Sequence, residues 1–151
     1  MSWVNLFLAG LWGAGAAAAL SYCSNISRYD IVWGAIVGGV GWFVYSLLIP
    51  QNGSAGTESY FWGAMSVAIL SEILAAAIKN PATVYLIPGL LPLVPGSGMF
   101  QTMRAAVSGD LDKTLPLAMS TLTAAGAIAL AVALASSISR ILSIIIKQLK
   151  K

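Results

Sequence analysis

Long apolar stretches, separated by short polar turns, run along most of this chain. Predominantly apolar segments cover residues 3–22, 31–49, 58–79 and 114–136. Each is close to the ~20 residues that an α-helix needs to cross a bilayer. The pattern therefore predicts transmembrane helices. Residues 137–151 mix apolar with basic positions, which predicts an amphipathic helical tail that leaves the membrane.

A fifth apolar segment, residues 81–108, carries a string of prolines and glycines. Pro88, Pro92 and Pro95 fall within eight residues. Proline lacks a backbone donor and clashes with the preceding turn, so we predict that no regular helix continues through residues 88–98. Non-helical backbone persists at membrane depth only where protein or a water-filled cavity satisfies its polar groups. The break therefore indicates a binding site of the transporter type, with a kinked or re-entrant structural element as the alternative.

Composition agrees with an all-α polytopic membrane bundle of about five spans in one domain, residues 1–151. The chain is 58% hydrophobic and 9% charged, whereas soluble domains carry roughly 25% charged residues. It has no histidine and one cysteine, Cys23. These counts exclude a Cys/His zinc site, a Ser-His-Asp triad and a disulfide within the chain. We predict no metal, no cofactor, no nucleic-acid partner and no enzymatic activity.

The charge distribution predicts an orientation. If residues 81–108 cross once, then Arg28, Lys79 and the basic C-terminal end lie on one side, and the acidic turn 109–113 lies on the other. The positive-inside rule assigns the basic side to the cytoplasm. We therefore expect a cell membrane protein of the bacterial inner-membrane type, with its N-terminus outside and its C-terminus inside. A re-entrant hairpin would separate the charges less well.

Small residues recur at helical spacing in the first two segments. Gly34 and Gly38 form a Gly-xxx-Gly face in the second segment. The first segment has a small residue at every fourth position: Ala9, Gly13, Ala17 and Ser21. Small side chains let two helices approach closely, so we predict that both faces lie in helix–helix contacts.

Glu72 lies inside the third apolar segment, seven residues before Lys79. A carboxylate within a membrane span is costly, and such a group marks a pathway, a proton relay or a buried pair. We predict that Glu72 is a proton-coupling residue that faces the break across the bundle. The alternative is a structural partner for Arg104 or for freed backbone donors.

Polar residues follow the break at helical spacing: Ser97, Gln101, Arg104 and Ser108. A helix that restarts after Pro95 and Gly96 presents free backbone N–H groups and a positive dipole end at the break. A substrate carboxylate could bind there, with donors from Gln101 and Arg104. The predicted substrate site comprises Pro88, Gly89, Pro92, Pro95, Gly96, Ser97, Gly98, Gln101 and Arg104. Ser120, Thr121 and Thr123 could pack against the polar stripe or line the same path.

Three stretches together resemble a known family. They are Ser71-Glu72-Ile73-Leu74-Ala75, Lys79-Asn80-Pro81-Ala82-Thr83, and the string Ile87-Pro88-Gly89-Leu90-Leu91-Pro92-Leu93-Val94-Pro95-Gly96. They resemble the threonine/serine exporter family, and the chain is similar to the short membrane subunit of its split, two-component form. The resemblance implies secondary export of small amino acids, such as threonine and serine, or of dicarboxylates such as succinate. It also implies a larger membrane partner subunit.

The sequence therefore predicts a proton-coupled exporter of a small carboxylate-bearing metabolite. Its expected partners are that small molecule, membrane lipid, and either further copies of itself or the larger subunit. A membrane scaffold that does not transport, or an uncoupled channel, is the alternative function.

Overall fold

The chain is all-helical over the part that the computed structural model describes, residues 3–49 and 56–149. Its elements are α1 (Trp3–Cys23), α2 (Arg28–Leu47), α3 (Thr57–Ile78), α4 (Thr83–Leu90), a 3₁₀ turn (Leu91–Leu93), α5 (Gly96–Val107) and α6 (Leu111–Leu149). Helices α1, α2, α3 and α6 are long and apolar enough to cross a membrane, and α4 with α5 form a further candidate span bent by 48°. The predicted all-α membrane bundle is confirmed. Pro50, the loop 51–55 and the basic pair Lys150 and Lys151 lie outside the described residues.

The break in the fourth span is shorter than predicted. Helix α4 continues through Pro88 to Leu90, and the 3₁₀ turn includes Pro92. Regular structure is lost only at residues 94–95, where Val94 is extended. The prediction of non-helical backbone from Pro88 onward was therefore wrong. Proline removes a single helical hydrogen bond, and membrane helices tolerate this where neighbouring helices pack around the site.

Helix α4 lies at the centre of the bundle and packs against α1, α2 and α3. Tyr85 of α4 and Leu93 of the 3₁₀ turn are buried in one apolar cluster with Val37 of α2 and Val67 of α3. Gly89 lies between the two valines, since a Cβ there would be 2.9 Å from Val67 and 3.0 Å from Val37. This tight packing holds α4 helical despite Pro88.

Both predicted small-residue faces lie in contacts within the chain. Gly34 and Gly38 are buried. A Cβ on Gly38 would run into the Cβ of Ala17 and would approach the backbone of Gly89 at 3.5 Å. A Cβ on Gly34 would lie 2.9 Å from the Oγ of Ser21. The small faces therefore bring α1, α2 and α4 together, as predicted from their spacing.

Helices α5 and α6 form a hairpin beside this four-helix core. Among the described helices, α5 packs against α6 alone, and α6 packs against α5 and α3. The buried positions of α6 include Ala124, Ala127, Ala131 and Ala135. These positions recur every three to four residues and form one small-residue stripe, the α6 seam, which faces the neighbouring helices.

Helices α3 and α6 run in the same direction. Early residues of both line one cavity, and late residues of both, Glu72 and Ser139, form a hydrogen bond. The segment 83–107 therefore carries the chain from the end of α3 back to the opposite end of the bundle, where α6 begins. Helix α6 then continues without a break through residue 137, where the sequence had predicted a separate tail. That residues 137–151 leave the membrane stays a prediction.

One polar network closes the end of the bundle where α2 begins. The hydroxyl of Tyr85 donates a hydrogen bond to Oδ1 of Asp30 at 2.6 Å, and Asn80 donates to the same oxygen at 3.0 Å. This network puts the start of α2 beside the α3–α4 link. Arg28 and Lys79 therefore lie at the same end, although the assignment of that end to the cytoplasm stays a prediction.

Candidate functional site

A polar cavity of about 520 Å³ lies at the break in the fourth span. One wall is formed by the end of α2 and the start of α3, and the other by α5 and α6. Its lining residues are Tyr45, Gly56, Thr57, Tyr60, Pro95, Ser97, Gly98, Gln101, Leu117, Ser120, Thr121, Thr123 and Ala124. The volume falls within the ~300–1,000 Å³ typical of small-molecule sites. We call this space the break cavity.

The lining of the break cavity is rich in uncharged hydrogen-bonding groups. Ser97 and Gln101 come from α5, whose first turn also leaves backbone N–H groups without helical partners. The aligned peptide dipoles make this end of α5 partly positive. Ser120, Thr121 and Thr123 bring hydroxyls from α6, as the sequence had allowed. These groups can bind a small anionic or polar group through hydrogen bonds and the helix dipole, without a positively charged side chain.

Gly98 lies at a close contact between the two helices of the hairpin. A Cβ at this position would lie 2.5 Å from Oγ1 of Thr121. That hydroxyl is held in place because it donates a hydrogen bond to the carbonyl of Leu117 at 2.7 Å. Gly96, by contrast, has no atom within 4 Å of an added Cβ. An added methyl group would therefore clash at Gly98 and not at Gly96.

The structure divides the predicted substrate residues into two groups. Pro95, Ser97, Gly98 and Gln101 line the break cavity. The remaining five lie elsewhere: Pro88 and Gly89 are buried in the core, Pro92 is half-buried in the 3₁₀ turn, and Gly96 and Arg104 are exposed. Arg104 is therefore not among the groups that surround this space.

Glu72 lies at a different cavity, near the end of α3. It is twelve residues beyond Tyr60, or ~18 Å along the helix, and it does not face the break. Its Oε2 accepts a hydrogen bond from Ser139 of α6 at 2.9 Å. The cavity beside it has about 430 Å³ and is lined by Glu72, Ala75, Ala76, Ser136, Ser139 and Arg140. The suggested partnership with Arg104 is replaced by this contact with α6.

Comparison with known families adds to this geometry. The sequence model of the family described as Threonine/Serine exporter, ThrE, matches residues 9–138. The chain belongs to the threonine/serine exporter family. The match covers most of α1, all of α2 to α5 and most of α6, and it includes Glu72 and every described residue that lines the break cavity. No curated protein and no solved structure matches this exporter.

Membership confirms the resemblance carried by the proline–glycine string and its flanks. This member of the threonine/serine exporter family is a multi-pass membrane transport protein. The family assignment indicates a transport role.

Sequence reasoning missed several lining groups of this exporter. Tyr45 and Tyr60 line the break cavity, and their ring centroids are 4.9 Å apart. Ser139 and Arg140 were assigned to the tail. A signal did exist, because Ser136, Ser139 and Arg140 share the i, i+3, i+4 spacing of Glu72, Ala75 and Ala76. Pairing two such faces requires the tertiary structure.

Proposed function

We propose that this chain exports a small carboxylate-bearing metabolite, and that the break cavity holds the substrate during transport. The candidate substrates are threonine, serine and short dicarboxylates such as succinate. The observation that carries the proposal is a polar cavity, beside a restarted helix, within an otherwise apolar membrane bundle.

The proposed binding mode follows from the groups that line this cavity. The carboxylate accepts hydrogen bonds from backbone N–H groups in the first turn of α5 and from Ser97 and Gln101. Hydroxyls of Ser120 and Thr121 complete the opposite wall. Arg104 lies outside the break cavity in this conformation. The proposed site therefore binds the carboxylate through the α5 dipole and neutral hydrogen-bond donors, and not through a guanidinium.

Coupling to protons is proposed to run through Glu72. It is a carboxylate inside a candidate span, and its Oε2 is hydrogen-bonded to Ser139 of the neighbouring α6. Taking up a proton removes the charge and changes the hydrogen bond with Ser139, so protonation can alter how α3 and α6 contact each other. Glu72→Gln is expected to abolish stimulation of export by a pH gradient, while protein abundance stays near the wild-type level.

We further propose an inner-membrane protein with its N-terminus outside and its C-terminus in the cytoplasm, which works as a homo-oligomer or with a larger subunit. Helix α5 supports an assembly of this kind. It buries none of its residues, and Phe100, Met103 and Val107 are at least 66% exposed. This face requires cover by lipid or by a partner subunit.

The test is reconstitution of the chain alone in proteoliposomes loaded with labelled threonine, serine or succinate. Efflux is measured with and without a pH gradient. Ser97→Ala is expected to lower efflux, and Ser108→Ala is the matched control, because Ser108 is on the same helix, exposed, and bonded to its own backbone. Equal efflux from these two variants would remove the break cavity from the mechanism.

Two other functions give different results in the same assay. A scaffold gives no efflux alone and raises the abundance of a co-expressed larger subunit. An uncoupled channel gives efflux that does not respond to the pH gradient and does not saturate with substrate.

A further inference from the structure

The second cavity is built by two matching helix faces. On α3 it is lined by Glu72, Ala75 and Ala76, and on α6 by Ser136, Ser139 and Arg140. Both sets follow the i, i+3, i+4 spacing that puts side chains on one helix face. The two alanines are small, and they leave the space of about 430 Å³ in front of the polar residues of α6. We call this space the Glu72 cavity.

The Glu72 cavity joins a carboxylate, a guanidinium and two hydroxyls. Ser139 donates to Oε2 of Glu72 at 2.9 Å. A carboxylate has about four acceptor positions, so Glu72 can accept further donors. Arg140 follows Ser139 directly in the chain and lines the same space, and a guanidinium has five N–H donors. One side of the cavity therefore suits a cationic group and the other suits a carboxylate.

We propose that the Glu72 cavity is a second substrate site, which binds the zwitterion of a small α-amino acid. Glu72 accepts hydrogen bonds from the ammonium group, and Arg140 donates to the carboxylate. Ser136 and Ser139 add hydroxyls at the same wall. This inference deepens the proposed export function and rests on it.

The same charges make the site selective. A dicarboxylate has a second carboxylate where an amino acid has its ammonium group, and that carboxylate would lie next to Glu72. Like charges at such distances repel. The Glu72 cavity therefore favours threonine or serine over succinate, whereas none of the described residues that line the break cavity carries a charge to distinguish them.

The position of the Glu72 cavity is consistent with a second binding site on the transport path. Glu72 lies six residues from the end of α3, or ~9 Å along the helix, so the cavity is near the end of the bundle opposite the break cavity. Both cavities lie between α3 and α6. Between their levels α6 carries Ala127 and Ala131, which are at most 6% exposed. The α6 seam therefore separates the two sites.

Protection of single cysteines tests the location directly. Cys23 is the one native cysteine, so Cys23→Ser gives a background for Ala75→Cys in the Glu72 cavity and Ser120→Cys in the break cavity. We expect 10 mM L-threonine to slow the modification of Ala75→Cys by a methanethiosulfonate reagent at least threefold, and 10 mM succinate to leave it unchanged. Equal rates with and without threonine, or equal protection by succinate, would overturn the proposal.

Charge variants test the assigned roles in full-length protein in nanodiscs. Glu72→Gln and Arg140→Gln are each expected to weaken L-threonine binding at least tenfold. Glu58→Gln and Lys113→Gln, on the same two helices but outside the cavity, are the matched controls and should bind as wild type. Unchanged L-threonine binding in Glu72→Gln and Arg140→Gln would refute the roles assigned to these two residues.

A third variant covers the case in which removal of a charge prevents folding. Ser136→Leu fills the cavity and retains both charges. It should reduce threonine binding at least tenfold, and wild-type affinity in this variant would contradict the site.

The proposed second site and the proposed export function can be refuted separately. Threonine efflux with no protection of Ala75→Cys refutes the second site alone, and protection without efflux refutes export alone.

Discussion

Gly98 is a residue at which a single added methyl group tests the contact between α5 and α6. In Gly98→Ala the new Cβ would start 2.5 Å from Oγ1 of Thr121, and real Cβ atoms essentially never lie within 3.0 Å. Either α5 moves away by at least ~0.5 Å, or Thr121 rotates and loses its 2.7 Å hydrogen bond to the carbonyl of Leu117. Overpacking of this kind costs ~1–3 kcal/mol.

Gly96→Ala is the matched control, because it adds the same methyl group two residues earlier in α5 with no atom within 4 Å. Replacing glycine by alanine also restricts the unfolded chain, which contributes ~0.4–1 kcal/mol of stability in both variants. The difference between them therefore isolates the clash. We expect Gly98→Ala to be ~1–3 kcal/mol less stable than Gly96→Ala.

The assay is unfolding of both variants in the same detergent, together with threonine binding. A double variant, Gly98→Ala with Thr121→Ala, should recover most of the lost stability, because it removes the atoms that the new methyl meets. Equal stability of the two single variants would refute the described contact between α5 and α6.

Three further predictions follow from other parts of the bundle. Tyr85→Phe removes the 2.6 Å hydrogen bond to Asp30 and should cost ~1–3 kcal/mol in the same unfolding assay. Tyr29→Phe, at a residue 86% exposed, should cost almost nothing, and equal effects would argue against the network. Gly38→Leu should unfold or severely destabilise the protein, because its side chain would enter the contact with Ala17; wild-type thermal stability would contradict this packing. A reporter fused to the C-terminus should be active only if it is a cytoplasmic one, and a periplasmic reporter with activity would reverse the orientation.

The break cavity and the Glu72 cavity are separated by the α6 seam. If the break cavity and the Glu72 cavity are both occupied during export, the α6 seam must open between them. Among the described helices, α3 is the one core helix that the hairpin of α5 and α6 contacts, and residues 94–95 link the hairpin to the core. Movement of this hairpin against α3 is therefore the simplest way to connect the cavities.

The sequence alone was sufficient to find the four long apolar helices, the number of candidate spans and the family. These properties depend on local composition, since about twenty consecutive apolar residues form a membrane helix whatever lies beside them. The Gly34 and Gly38 face was also readable, because a small-residue repeat has a strong default meaning in a membrane.

The position of the break was only partly readable. Proline chemistry predicts a disruption, but whether a helix continues through Pro88 depends on the packing around it. The close contacts of Gly89 with Val37 and Val67 exist only in the folded bundle. Likewise, Gly96 and Gly98 are equivalent in the sequence, and the proximity of Thr121 alone makes one of them critical.

The partner of Glu72 could not be found from the sequence. Ser139 is 67 residues away, in a segment whose basic residues suggested a tail outside the membrane. Only the parallel packing of α6 on α3 brings that segment beside Glu72 and separates it from the break. Side-chain types and helix periodicity are local and can be read along the chain. The neighbours across a helix–helix contact depend on the register and direction of both helices, which the tertiary structure alone decides.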